Sequence, residues 1–155
     1  MAFERLECDP AFADTAAFCA RYGHPPENSA NTILVASKKE PKKYAACVLQ
    51  ASRLLDVNHK VRELMGVSRV SFANAEETAR VTGMLVGGVT VFALPEGIPI
   101  YVDEPVMALD YAILGGGGRS SKIKLRPAEL LRVPGLQVVA GLAAERQRRG
   151  STEGS

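Results

Sequence analysis

Cysteine and histidine are scarce in these 155 residues: three cysteines (Cys8, Cys19, Cys47) and two histidines (His24, His59). The cysteines form no CxxC pair, and neither histidine stands at a ligand spacing from them, so no zinc or other metal site is expected. An odd, scattered set reads instead as buried, reduced thiols of a cytoplasmic protein. Met1–Pro10 has no apolar h-region and carries Glu4, Arg5, Glu7 and Asp9, which argues against a secretory signal. A membrane span is also missing. The longest uncharged run, 81–95, is too short and is interrupted by Gly83, Gly87 and Gly88, so it reads as a buried core segment. Nor does one sign of charge dominate: 19 Lys and Arg stand against 17 Asp and Glu. That balance alone does not announce a nucleic-acid binder.

What is present fits one globular domain, with 46% apolar and 23% charged residues. Apolar residues recur at helical spacing from Ala11 to Tyr22, and Gly23 with Pro25-Pro26 stops them. Thr32–Ser37 and Tyr44–Gln50 are short apolar runs joined by Lys38-Lys39-Glu40-Pro41-Lys42-Lys43, the pattern of a hairpin. Asp56 is placed to cap a helix that carries Val57, Val61, Leu64 and Met65 on one face and ends at Gly66. Asn74 and Glu77 have capping-box spacing for a helix over Ala75–Val81. Arg69–Phe72, Gly87–Ala93, Ile98–Val102, Ala112–Leu114, Lys122–Leu125 and Gln137–Ala140 read as strands, and Pro127 opens a helix to Arg132. Without regular βαβ alternation the class is α+β: a single domain over 1–143 with a mixed, bent sheet. Residues 144–155 read as a disordered tail.

Two glycine clusters stand out, Thr82-Gly83-Met84-Leu85-Val86-Gly87-Gly88-Val89 and Gly115-Gly116-Gly117-Gly118. Neither is a P-loop, because Lys122 is followed by Ile123, and neither opens a helix in a βαβ unit. Glycines between strands permit close backbone approach, so that several N–H groups can converge on a polarised oxygen. The same glycines also suit a tight connection that holds nothing. Arg119, Lys122 and Lys124 past the second cluster tilt the reading toward an anion-facing edge, although a solvated face would look the same. No nucleophile–base pair is evident. His59 reads as cap-adjacent, and Asp103 as the cap of the turn before Pro105.

At these glycines the chain resembles the YbaK-like aminoacyl-tRNA deacylases, related to the editing domain of bacterial prolyl-tRNA synthetases. The likeness runs from Cys8-Asp9-Pro10 to Leu131. It includes Asn31-Thr32-Ile33-Leu34-Val35, Asp56-Val57-Asn58, Ser71-Phe72-Ala73, Thr82-Gly83 with Gly87-Gly88-Val89, Ile100-Tyr101-Val102-Asp103 and the Gly115–Gly118 loop. The resemblance implies a barrel-like mixed sheet with helices packed around it. It implies hydrolysis in trans of the ester joining a wrong amino acid to the tRNA 3′-adenosine, with no cofactor. The implied partners are the aminoacyl-tRNA 3′ end and an aminoacyl-tRNA synthetase.

By that resemblance Thr82, Gly83 and Gly115–Gly118 line the substrate pocket, and the Gly87 and Gly88 amides serve the developing oxyanion. Four positions depart from the family pattern. Asn31 stands where the family has its functional lysine, Val91 for a proline, Leu6 for a tyrosine, and Lys122 for an acidic residue. Asn31 can hydrogen-bond but carries no charge, so Lys122 is expected to supply the missing cation. A non-catalytic homologue that binds an aminoacyl-adenosine-like ligand or a protein partner is the alternative, and hydrolysis of another small acyl ester or amide is a third.

Overall fold

The centre of the protein is a strand pair buried on both faces. The computed structural model describes residues 2–86 and 88–145. β2 (Ala30–Ser37) and β3 (Tyr44–Gln50) pair antiparallel in the register Asn31↔Leu49 and Val35↔Ala45. The five central residues of β3, Ala45–Leu49, are all buried. Small and β-branched side chains suit such a strand, because layers pack on it from above and below. β5 (Val70–Phe72) extends β2 antiparallel, while β6 (Ile100–Asp103) and β9 (Leu136–Val139) continue from β3 in parallel, giving the mixed order β5-β2-β3-β6-β9.

Alternation along these strands divides the core. Ala46, Val48, Ile100 and Val102 face Ala112, Leu114, Leu125 and Leu130 on one side. Ala45, Cys47 and Tyr101 face Val57, Val61 and Leu142 on the other. The first side is covered by an antiparallel sheet of β1 (Phe3–Glu7), β8 (Ser121–Leu125) and β7 (Ala112–Gly115). The second side is covered by the turn Val57–Val61 that leads into α2 (Arg62–Met65). α1 (Thr15–Tyr22) seals a third cluster of Cys8, Ala13, Phe18, Cys19 and Ile113. A separate antiparallel pair joins β4 (Arg53–Leu55) to β10 (Ala143–Glu145), the last of the described residues.

The α+β class and the hairpin expectation hold, with corrections. The sheets do not close into a barrel. β7 and the β2 end of the large sheet are joined by one parallel bridge, Ser29↔Ile113. The helix expected from Ala11 starts as a 3-10 turn at Pro10–Phe12, because Asp9 accepts the Ala11 N–H and interrupts continuous α geometry. Asn74 does cap α3 (Ala75–Thr82), accepting the Glu77 N–H at 2.7 Å. Glu77 does not reach back. Its carboxylate accepts from Tyr44 Oη at 2.9 Å and Lys42 Nζ at 3.2 Å, and these bonds hold its pKa below the usual range, the Tyr44 bond contributing most.

In place of the strand expected over 87–93, Val91–Ala93 form a 3-10 turn capped by Thr90. Ala144 and Glu145, assigned to the tail, lie in β10, and residues 146–155 fall outside the described residues. Cys8, Cys19 and Cys47 are buried free thiols, and burial pushes Cys47 up to about 12. No helix among the described residues is long and apolar enough to cross a membrane.

Candidate functional site

A cavity of about 320 Å³ opens between the N-terminus of α1, the start of β2 and the facing strands β7 and β8. Its wall contains Asp14, Thr15 and Phe18 from the first segment, Asn31 from the second, and Gly115 and Lys122 from the third. Asn31 and Lys122, 91 positions apart in the chain, therefore meet at one hollow. The Asn31 Oδ1 accepts from Thr15 Oγ1 at 2.6 Å, which fixes the amide plane.

Lys122 is buried to 6% exposure. Its Nζ donates to Ala13 O at 2.6 Å and stands 5.6 Å from the centre of the Phe18 ring. Burial lowers its pKa, while Asp14 and the nearby thiols act in the opposite sense and Arg119 adds to the lowering. A partly desolvated ammonium attracts a polarised oxygen far more strongly than one in bulk water. The strand register explains how the side chain is accommodated: Lys122 lies between Leu6 on β1 and Gly115 on β7. Leu6, Asn31 and Lys122, three of the four positions at which the resemblance implies a departure, are thus linked through Lys122.

The glycines divide into those that shape this wall and those that do not. A Cβ on Gly115 would collide with the carbonyl oxygen of Val89, and one on Gly88 would lie 2.5 Å from Gly118 O. Gly117 N–H donates to Gly88 O at 2.7 Å, so the two glycine loops grip each other backbone to backbone. Gly115→Ala is therefore expected to cost roughly 2 kcal/mol, since main chain cannot yield as a flexible side chain would. In thermal melts that reads as a Tm fall of about 4–8 °C.

Gly116 packs against Ser121, and Gly118 has open space beside it; neither lines the cavity, nor does Gly117. Thr82 and Gly83 belong to the end of α3. Thr82 Oγ1 donates to Thr78 O and accepts from Met84 N, and Gly83 takes the left-handed cap at φ 75°. The Gly88 N–H already donates to Leu85 O at 2.9 Å, so it is not a spare oxyanion donor. Gly87 lies outside the described residues.

Two further expectations are corrected. The solvated face kept as the alternative for Arg119, Lys122 and Lys124 does not hold. Arg119 donates to Asp14 Oδ1, Val86 O and Pro10 O, and Lys124 sits 4.6 Å over the Tyr111 ring. Asp103 occupies the cap position before Pro105 but makes no cap bond. Its carboxylate is wholly buried, accepts from Ala143 N, and faces Arg53 Nε at 3.4 Å. His59 is exposed beside Asp56, 3.2 Å from its Oδ1, as a cap-adjacent histidine should be.

Sequence reasoning missed Asp14, Thr15 and Phe18. The available signal was the Asp-Thr pair ahead of an amphipathic helix, which is ordinarily a capping pair. No group of three or more His, Cys, Asp or Glu side chains among the described residues is placed to hold a metal. A larger apolar cleft of about 1020 Å³, walled by Phe3, Phe92, Leu94, Ile98 and Pro134, includes Val91 but none of the residues expected to bind or act on substrate.

Comparison with known proteins bears on the fold and the family. The crystal structure of hypothetical protein APE2540 superposes with a TM-score of 0.82 at 26% identity, covering 92% of each chain. The structure named as "a putative trans-editing enzyme for prolyl tRNA synthetase" gives 0.77 at 21% identity, over 93% of this chain and 87% of that one. At that identity the second likeness shows the fold alone. The family model for the aminoacyl-tRNA editing domain matches residues 9–133, a span that takes in Asp14, Asn31, Gly115 and Lys122. The chain belongs to the aminoacyl-tRNA editing domain family.

Proposed function

We propose that the protein hydrolyses, in trans, the ester between a mischarged amino acid and the 3′-terminal adenosine of tRNA. The observation that carries this reading is the meeting of Asn31 and Lys122 in a cavity of about 320 Å³, large enough for an aminoacyl group and part of a ribose. The roles given to these residues rest on that geometry and on family membership. Water attacks the acyl carbon, its oxygen forms the new C–O bond, the bond to the ribose oxygen breaks, and a proton passes from water to that leaving oxygen. Lys122 meets the carbonyl oxygen as negative charge builds on it, and Asn31 orients the acyl group. Asp14 and Lys122 are the titratable side chains of the cavity wall, so the chemistry leans on an already activated ester and on positioning rather than on a strong general base.

The non-catalytic alternative draws support from the Gly88 amide, which is spent on Leu85 O. A panel of mischarged tRNAs separates the two readings. Turnover of at least one member with tRNA in excess of protein is the expected result. Release of no amino acid from any member would remove the hydrolytic reading.

Association with tRNA is expected to be salt-sensitive. Lys38, Lys39, Lys42 and Lys43 are exposed at the hairpin tip, with Lys42 also paired to Glu77. If roughly three phosphates are neutralised, log K should fall with log salt at a slope of about −2 to −3. A flat dependence in filter-binding titrations would argue against tRNA as the partner.

A further inference from the structure

Asp14 stands at the N-cap of α1, where an aspartate ordinarily accepts a backbone N–H of the first turn, yet its side chain makes no cap bond. Its carboxylate lines the cavity instead, with 70% of the side chain exposed, and Oδ1 accepts from Arg119 Nη1 at 3.1 Å. Arg119 also donates to Val86 O and Pro10 O, so the carboxylate is held at the rim by a guanidinium that is itself anchored twice. The hollow therefore has two poles, an anion at the rim and the buried Lys122 ammonium in the wall.

An aminoacyl ester has matching poles. Its α-carbon carries an ammonium, and the neighbouring carbon bears the carbonyl oxygen on which negative charge develops. Placing the ammonium against Lys122 would set like charges together in a poorly solvated site, which opposes the reversed orientation. We propose that Asp14 receives the α-ammonium of the acyl group, so that the site selects esters with a free α-amine and presents the carbonyl oxygen to Lys122. This rests on the proposed function and names a further determinant of its substrate class. Arg119 acts through Asp14, as a positioning residue.

The test uses two non-hydrolysable adenosine probes with the full chain: 3′-glycylamino-3′-deoxyadenosine and its glycolyl counterpart, in which a hydroxyl replaces the ammonium. Glycine is the smallest acyl group, so side-chain selectivity does not enter. By titration calorimetry the wild type is expected to bind the glycyl probe about tenfold more tightly, as a charge-assisted pair should be preferred to a neutral one. Asp14→Asn is expected to bring that ratio to about one. Arg119→Gln, which keeps the carboxylate, is expected to retain most of it.

An unchanged ratio in Asp14→Asn would overturn the assignment. Equal binding of both probes by the wild type would overturn this inference while leaving the hydrolytic reading intact. Binding of neither would remove both.

Discussion

Lys122→Ala is expected to lower single-turnover deacylation about 100-fold, the usual consequence of removing one preorganised donor from a developing oxyanion. The effect should fall on the chemical step, because the interaction strengthens only as charge accumulates on the carbonyl oxygen. Lys122→Arg should not rescue fully. A planar guanidinium cannot occupy the point position beside Ala13 O and the Phe18 ring that an ammonium does.

The pH profile offers a second readout. Burial holds the Lys122 ammonium below its ordinary value of 10.5. The protonated, working form is therefore lost before pH 10.5 as pH rises. After subtraction of uncatalysed ester hydrolysis, the wild-type rate should decline on the alkaline side, and the alanine variant should lack that limb. Kinetics in Lys122→Ala equal to wild type would show that this side chain does not supply the cation that the resemblance implies is missing at Asn31.

What was legible in the sequence depended on how local the determining physics is. The hairpin could be read because alternating apolar runs and a charged turn carry their own signal, and Asn74 could be read as a cap because its partner is three residues away. The glycine clusters were conspicuous but ambiguous. Composition cannot say that Gly115 is pressed against Val89 O while Gly118 has open space, since that depends on which loop approaches which. Asp14 was not singled out, for a related reason. Its sequence neighbours argue for a helix cap, and only Arg119, 105 residues away, draws it to the cavity rim. Lys122 and Asn31 were singled out as an exchange of charge between two positions, and the register that places both on one hollow is a tertiary fact.

Asp103→Ala is expected to be the most destabilising single change, at about 3 kcal/mol, the lower end for breaking a buried ion pair. The lower end applies because Arg53 keeps 23% side-chain exposure and can recover some water, whereas Asp103 has none. The Ala143 N–H also loses its acceptor, and with it the bond tying β10 to β6. In melts this is a Tm fall of about 6–12 °C. The pair itself is expensive. Desolvation raises the Asp103 pKa, outweighing its backbone bonds and the Arg53 charge, and Arg53 Nε and Asp103 Oδ2 have no hydrogen-bond partner among the described residues. Replacing both, as Arg53→Met with Asp103→Leu, should recover most of the loss.

The sign of the pH dependence follows from the same cause. Between the ordinary 3.8 and the raised folded value, the native state holds more protons than the unfolded chain. The contribution from this group is therefore complete below pH 3.8 and disappears as pH climbs through the folded value. Denaturant titrations across that window should show the wild type losing stability relative to the double variant as pH increases. A difference that stays constant, or grows the other way, would mean that the carboxyl at position 103 ionises at least as freely in the folded protein as in the unfolded chain.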